Sequence, residues 1–228
     1  MNKSTVFKYC VIIIFFFTYK YITYMLYIYG DHNGQLLTSI DVNRLMSVCY
    51  ESLSIHDIIN CNKLPQISNW KFKEDDVIII SLGEQDCRYH IKRNCPNSEA
   101  LDNYIITLSD NYISNIASKF SNCKCVIILG IIPPTKKRDL LIDRLNHYGI
   151  SVAASDEERI NITNKLNASL EQSCTNYPHV KYVYPYQFCQ QFDGSLNCSL
   201  SNKKGQLAIQ GSKPLIKIMD EYIQNVYY

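Results

Sequence analysis

Val77-Ile-Ile-Ile-Ser-Leu-Gly-Glu-Gln-Asp-Cys-Arg-Tyr-His-Ile91 is the stretch that decides the fold. It opens on an unbroken apolar run closed by Ser81, with Glu74-Asp75-Asp76 before it and Gly83 after it. β-Branched side chains crowd a helix and pack well on a pleated surface, so Val77–Ser81 reads as a strand. The run does not alternate with polar residues. Both faces of the strand are therefore expected to be buried, as in a parallel sheet covered by helices on each side. The charged cluster Glu84 to Arg88 then begins at the carboxyl end of a central strand.

Outward from this stretch the same pattern repeats. Cys125-Val-Ile-Ile-Leu129 is a second apolar run and continues through Gly130-Ile-Ile to Pro133-Pro134. Thr23-Tyr-Met-Leu-Tyr-Ile-Tyr29 is rich in β-forming residues and stops at Gly30-Asp31, and Val180 to Tyr184 is a fourth strand. Helices fill the gaps. Glu99 to Phe120 is long and mixed enough to be one. Ser155-Asp-Glu-Glu158 has the spacing of a capping box, followed by an apolar stripe at Ile162, Leu166 and Leu170. Ser212 and Pro214 open a last helix with Leu215, Met219 and Ile223 on its buried face. Alternating strands and helices predict right-handed crossovers and a three-layer, doubly wound α/β domain with a parallel central sheet of flavodoxin-like type. In such sheets ligands sit beyond the carboxyl ends of strands. Gly30-Asp31-His32 and Gly83-Glu84-Gln85-Asp86 both fall there and are expected to line one crevice.

The 228 residues suffice for one such domain, and no repeat or low-complexity linker divides them. Hydrophobic content of 46% with 19% charged residues describes a globular chain. A net charge of +2, with no basic stripe carrying interleaved aromatics, argues against a nucleic-acid partner. The ten cysteines include no CxxC pair and no His/Cys set with zinc spacing, so no metal and no cofactor is expected. Two readings of the cysteines stand side by side: scattered buried thiols, or a disulfide framework in an oxidising compartment. Acceptor triplets at Asn161-Ile-Thr163, Asn167-Ala-Ser169 and Asn197-Cys-Ser199 favour the second. So does the N-terminus, where Lys3 and Lys8 flank the apolar block Cys10 to Phe17. Residues 1–21 read as a hydrophobic leader or membrane anchor, with residues 22–228 as the α/β domain. Membrane association would run through residues 5–29, leaving the N-terminus cytoplasmic and the domain luminal or extracellular. The alternative is an extra buried element in a cytoplasmic protein.

Four segments together resemble one branch of the SGNH (GDSL-type) hydrolase superfamily. Tyr29-Gly30-Asp31-His32 resembles the first block, a strand ending in Gly-Asp-Ser. Ser81 to Ile91 resembles the branch signature Gly-Glu-x-Asp-Cys-Arg-x-His-Ile, and Ile131-Ile-Pro-Pro-Thr135 its strand-ending Pro-Pro. Ser155 to Arg159, Leu166-Asn167, Cys174, and Phe192-Asp-Gly-Ser-Leu196 follow in the expected order. The likeness covers roughly residues 23–210.

The resemblance implies an esterase or acyl hydrolase with a nucleophilic Ser, a His base and an Asp that orients it. This chain departs from that pattern at every one of those places. His32 stands where the Ser is expected, Ala208 where the His is expected, and Asn202 or Gly205 where the Asp is expected. Gln85 occupies the place where other branches keep an oxyanion-hole Asn, and its amide could still donate a hydrogen bond.

The remaining crevice candidates each admit two readings. Asp31 caps the following helix or supports the crevice, and Gly30 and Gly83 supply turn geometry. His32 is a displaced base, a ligand group or a polar loop residue. Glu84, Asp86 and Arg88 either form an ion-pair network or leave Arg88 to bind an anionic or sugar-like group. Cys87 and His90, three residues apart, could rebuild a nucleophile–base pair, or Cys87 is a packed thiol. His56, His147, His179 and Trp70 carry no signal. Three functions follow: a non-catalytic protein whose crevice binds a glycan, an acyl group or a protein partner; an active esterase with a rearranged site using Cys87 or another nucleophile; or a structural protein with a vestigial crevice.

Overall fold

A computed structural model of the protein describes residues 25–40, 45–49, 53–61, 71–97, 99–140, 154–202 and 207–227. The segment read as a leader or anchor, Trp70 and His147 lie outside the described residues. Five strands form the sheet: β1 (Leu26–Gly30), β2 (Leu45–Cys49), β3 (Val77–Ser81), β4 (Cys125–Leu129) and β5 (Val180–Val183). They lie in the order β2-β1-β3-β4-β5, and every pairing is parallel. The helices are α1 (His32–Leu36), α2 (Ile55–Cys61), α3 (Ile91–Asn94), α4 (Leu101–Lys119), α5 (Asp156–Cys174) and α6 (Ile209–Tyr227). The doubly wound arrangement expected from the sequence is the one present.

The three central strands β1, β3 and β4 are buried along their whole length, as continuous apolar runs require, whereas the edge strands β2 and β5 are only partly so. Successive side chains alternate between two apolar layers. Tyr27, Tyr29, Ile78, Ile80, Val126 and Ile128 point into the layer under α2, α4 and α5. Leu26, Ile28, Val77, Ile79, Ile127 and Leu129 point into the layer under α6.

The helix signals act as read. Ser155 Oγ accepts from Glu158 N at 3.1 Å while Glu158 Oε2 accepts from Ser155 N at 2.8 Å, closing the capping box. Some elements differ from the sequence expectation. The last helix begins at Ile209, ahead of Ser212, and carries Pro214 inside it. Strand β2 was not anticipated, because Leu45–Cys49 is short and half-exposed and gives no apolar run.

The cysteines also resolve toward one reading. The eight described thiols, at positions 49, 87, 95, 123, 125, 174, 189 and 198, are free, so no disulfide framework is present among the described residues. Their placement explains this: Cys87, Cys123 and Cys174 pack in one apolar layer, and Cys125 and Cys189 in the other. Among the described residues no helix is long and apolar enough to cross a membrane.

Candidate functional site

The strand order reverses at β1, whose two neighbours β2 and β3 are reached by crossovers in opposite directions along the sheet, and in such sheets the carboxyl ends of the strands at this switch point are where a ligand crevice falls. There Gly30 is paired with Ser81, and Asp31 N donates to Ser81 O at 2.9 Å. The approach is close enough to demand glycine: a Cβ on Gly30 would lie 2.5 Å from Ser81 O. Immediately beyond, Asp31 caps α1, its Oδ1 accepting from Asn33 N at 2.9 Å and from Gly34 N at 3.4 Å. Ser81 Oγ donates to the same oxygen at 3.4 Å. Burial, reinforced by the nearby Glu84 carboxylate, pushes the Asp31 carboxyl up to about 7 despite these three donors.

The second wall is the turn after β3. Gly83 sits at φ +115°, where other residues are strained, and a Cβ there would meet Ile131 at 2.7 Å. Glu84 and Gln85 start a helical turn that widens into a π-turn at Asp86–His90 before α3. Widened turns of this kind re-aim side chains and are found at functional sites. Here Arg88 Nη2 pairs with Glu84 Oε2 at 3.0 Å, both side chains being largely buried. The Arg88 guanidinium is thus engaged by Glu84 on the same turn. Burial raises the Glu84 carboxyl, and Arg88 and Arg159 oppose that rise.

Asp86 faces the opposite way, into the protein. Its Oδ2 accepts from Ile55 N at 2.7 Å, and its Oδ1 accepts from His56 N at 3.3 Å and lies 2.5 Å from His56 Nδ1. His56 Nε2 in turn lies 2.5 Å from the Tyr104 hydroxyl. Asp86 therefore ties the N-terminus of α2 to the crevice wall and does not line the crevice as a ligand group. His56, read from sequence as an unremarkable loop residue, is the hinge of this network. The signal that could have found its helix is Ser54-Ile-His-Asp57: Ser54 Oγ accepts from Asp57 N at 3.1 Å and Asp57 Oδ2 accepts from Ser54 N at 3.0 Å, a capping box with Asp at the third position.

Cys87 does not suit the role of nucleophile. Its side chain is in the core, where burial, together with the Asp86 and Glu84 carboxylates, pushes the thiol far above its ordinary range. His90 packs against His56 with ring centroids 5.3 Å apart.

The remaining candidate residues lie on the segments after β4 and before α6. Arg159, on α5, is buried and donates to Thr135 O at 2.7 Å and to Asp156 Oδ1 at 2.5 Å. The sequence reading placed Arg159 in a family block without giving it this role. Thr135 Oγ1 and Ser201 Oγ are 3.2 Å apart, and Ser201 bridges Leu207. Ala208 follows, its N–H donating to Leu200 O at 2.7 Å, directly ahead of α6. Asn167 holds the end of β4 from the other side, accepting from Ile131 N at 2.6 Å and donating to Ile131 O at 3.1 Å. Asn202 is half-buried, and Gly205 lies outside the described residues. Gln85 is half-buried on the turn. His32 is the first residue of α1, directly after Asp31; its side chain lies outside the described residues. Among the described residues no group of three His, Cys, Asp or Glu side chains could hold a metal ion.

A parallel five-stranded sheet in this order, flanked by helices, matches the fold of SGNH hydrolase-like acylhydrolases and esterases. A candidate platelet activating factor from Streptococcus pneumonia superposes with a TM-score of 0.62 at 13% identity over 89% of this chain and 85% of the other. A candidate acylhydrolase from Bacteroides fragilis gives 0.60 at 11% identity, covering 90% and 88%. The acetylxylan esterase Axe2 from Geobacillus stearothermophilus gives 0.53 at 11% identity, covering 90% and 94%. No protein-family model matches the sequence, and no curated protein does either.

Proposed function

We propose that this chain is a non-catalytic SGNH-like protein that keeps the crevice between β1 and β3 for binding a glycan, an acyl group or a protein partner. The observation that carries the reading is Ala208, which occupies the place directly ahead of the last helix where the resemblance puts the catalytic base. A methyl group takes no proton, and a serine hydroxyl at neutral pH needs a base within hydrogen-bond reach. His32, after the cap Asp31, fills the nucleophile's place in the same way. For the Axe2 esterase, variants at a Ser, an Asp and a His are each described as catalytic mutants. At the places the sequence resemblance assigns to such a triad this chain carries His32, Asn202 or Gly205, and Ala208. The buried, ion-paired state of Arg88 and the core position of Cys87 also speak against a rearranged hydrolase.

The test is fluorophosphonate labelling of the purified protein together with turnover of short acyl esters. The expected result is no labelling and background turnover. Stoichiometric labelling at any one serine would overturn the reading. The same proposal places the domain on the luminal or extracellular side, supported by the positively flanked N-terminal apolar block and by the exposed acceptor Asn161. Expression in a eukaryotic secretory system should then give a glycosidase-sensitive shift in mobility, and an unshifted product would count against that placement.

A further inference from the structure

A second recess lies away from the crevice, at the β5 edge of the sheet. Two adjoining cavities of about 440 and 450 Å³ share Asn164, Gln187 and Gln190 as walls, between α5 and the chain that follows β5. Phe192 stands at one end, fully exposed to solvent. A large apolar ring held in water is unfavourable, and single exposed aromatics are commonplace on mobile loops. This one is not on a loose loop. Gln190 and Leu196 form a bridge, Gln191 N donates to Ser195 O at 2.8 Å, and Gly194 N donates to Gln191 O at 2.9 Å. Asp193 accepts from Ser195 N at 3.0 Å and from Ser195 Oγ at 2.6 Å, and it pairs with Lys136. Gly194 takes φ +86°, which lets the turn close against Ile160.

The turn therefore presents Phe192 at a fixed place beside amide groups. A methyl built on Gly194 would lie 3.8 Å from Asn164 Nδ2 and 3.8 Å from Gln190 Nε2, so these two amides converge on the turn. Gln190 is oriented, because its Oε1 accepts from the Tyr184 hydroxyl at 3.2 Å. Among the described residues lining the recess, Glu171 and Asp193 are acidic and none is Lys, Arg or His. The neighbouring Lys136 ammonium is paired with Asp193, so an anionic ligand meets that carboxylate and Glu171 rather than a lining cation, and a purely apolar one would cover the amides without giving them partners. A ligand with an apolar C–H face and dense, uncharged hydroxyls satisfies both the ring and the amides.

We propose that this recess binds a neutral glycan, with Phe192 stacked on a sugar face and Asn164, Gln187 and Gln190 hydrogen-bonding its hydroxyls. The site is separate from the crevice and does not rest on the reading given for it. The test applies the full chain to an array of neutral, sialylated and sulfated oligosaccharides, followed by titration calorimetry with the best neutral binder. Phe192→Ala should weaken that binding by about tenfold or more, and Gln187→Ala by several-fold, while Phe192→Trp retains it. Because Phe192 is exposed, the variants should melt with the wild type, which circular dichroism checks. Absence of neutral binders, binding confined to sulfated or sialylated glycans, or affinity indifferent to Phe192→Ala would each overturn the proposal.

Discussion

Replacing Asp31 by Asn should make the protein more stable at pH 8 while leaving it nearly unchanged at pH 4. The carboxyl is fully buried, and burial with the Glu84 charge beside it lifts it from the ordinary 3.8 to about 7. The folded state thus holds this proton more tightly than the unfolded chain. Its contribution to stability is full below about pH 4 and is lost as pH rises toward 7. At about 1.4 kcal/mol for each pH unit, the loss amounts to about 4 kcal/mol, a sizeable part of the roughly 5–15 kcal/mol of a typical domain. Asn keeps the geometry, because its Oδ1 caps a helix about as well as a carboxylate and can accept from Asn33 and Gly34. It removes the charge that must be buried at high pH, and with it the Glu84 repulsion that helps to raise Asp31. Urea unfolding of both proteins at pH 4, 6 and 8 measures the difference directly. The variant should lead by about 2–4 kcal/mol at pH 8 and by under about 0.5 kcal/mol at pH 4. Glu84, also raised by burial, adds a slope of the same sign to both proteins. Parallel pH dependences of wild type and Asp31→Asn would refute the reasoning.

Other perturbations test the walls of the crevice. Asp86→Ala leaves the N–H groups of Ile55 and His56 and the His56 ring without their buried acceptor. It should cost about 3–5 kcal/mol, read as a fall in Tm of roughly 2–4 °C for each kcal/mol. A fall of under 2 °C would mean that α2 is held by something else. Gly83→Ala combines a strained φ with a 2.7 Å contact on Ile131 and should destabilise by about 2 kcal/mol or more, measured by the same denaturation. Iodoacetamide at pH 8 should leave Cys87 unmodified in the native protein and modify it after unfolding; rapid native alkylation, mapped by mass spectrometry, would reopen the cysteine-nucleophile reading.

The central strands were legible because Val77–Ile80 and Cys125–Leu129 are buried on both faces, and burial on both faces writes an unbroken apolar run into the sequence. Ser155 and Glu158 were legible because a capping box is local, its partners three residues apart. The network around Asp86 was not, since His56 and Asp86 are thirty positions apart and their meeting depends on how α2 docks. Arg88 sat between two readings for the same reason. Its spacing from Glu84 is visible in sequence, but its enclosure is a property of the packed domain. The recess beside Phe192 left no local mark either: Asn164, Gln187 and Gln190 are common residue types whose convergence only the fold creates.

The pairing of Gly30 with Ser81 has a consequence for how such chains are found and judged. Gly30, Asp31, Ser81 and Gly83 are fixed by backbone approach, capping and turn geometry, all of which are demands of folding. A chain of this fold is therefore obliged to spell the glycine–aspartate corner and the glycine turn opposite, whatever chemistry it does or does not perform. Those letters advertise a shape. A search keyed to them gathers chains by their corner and turn, and is blind to what those chains do there.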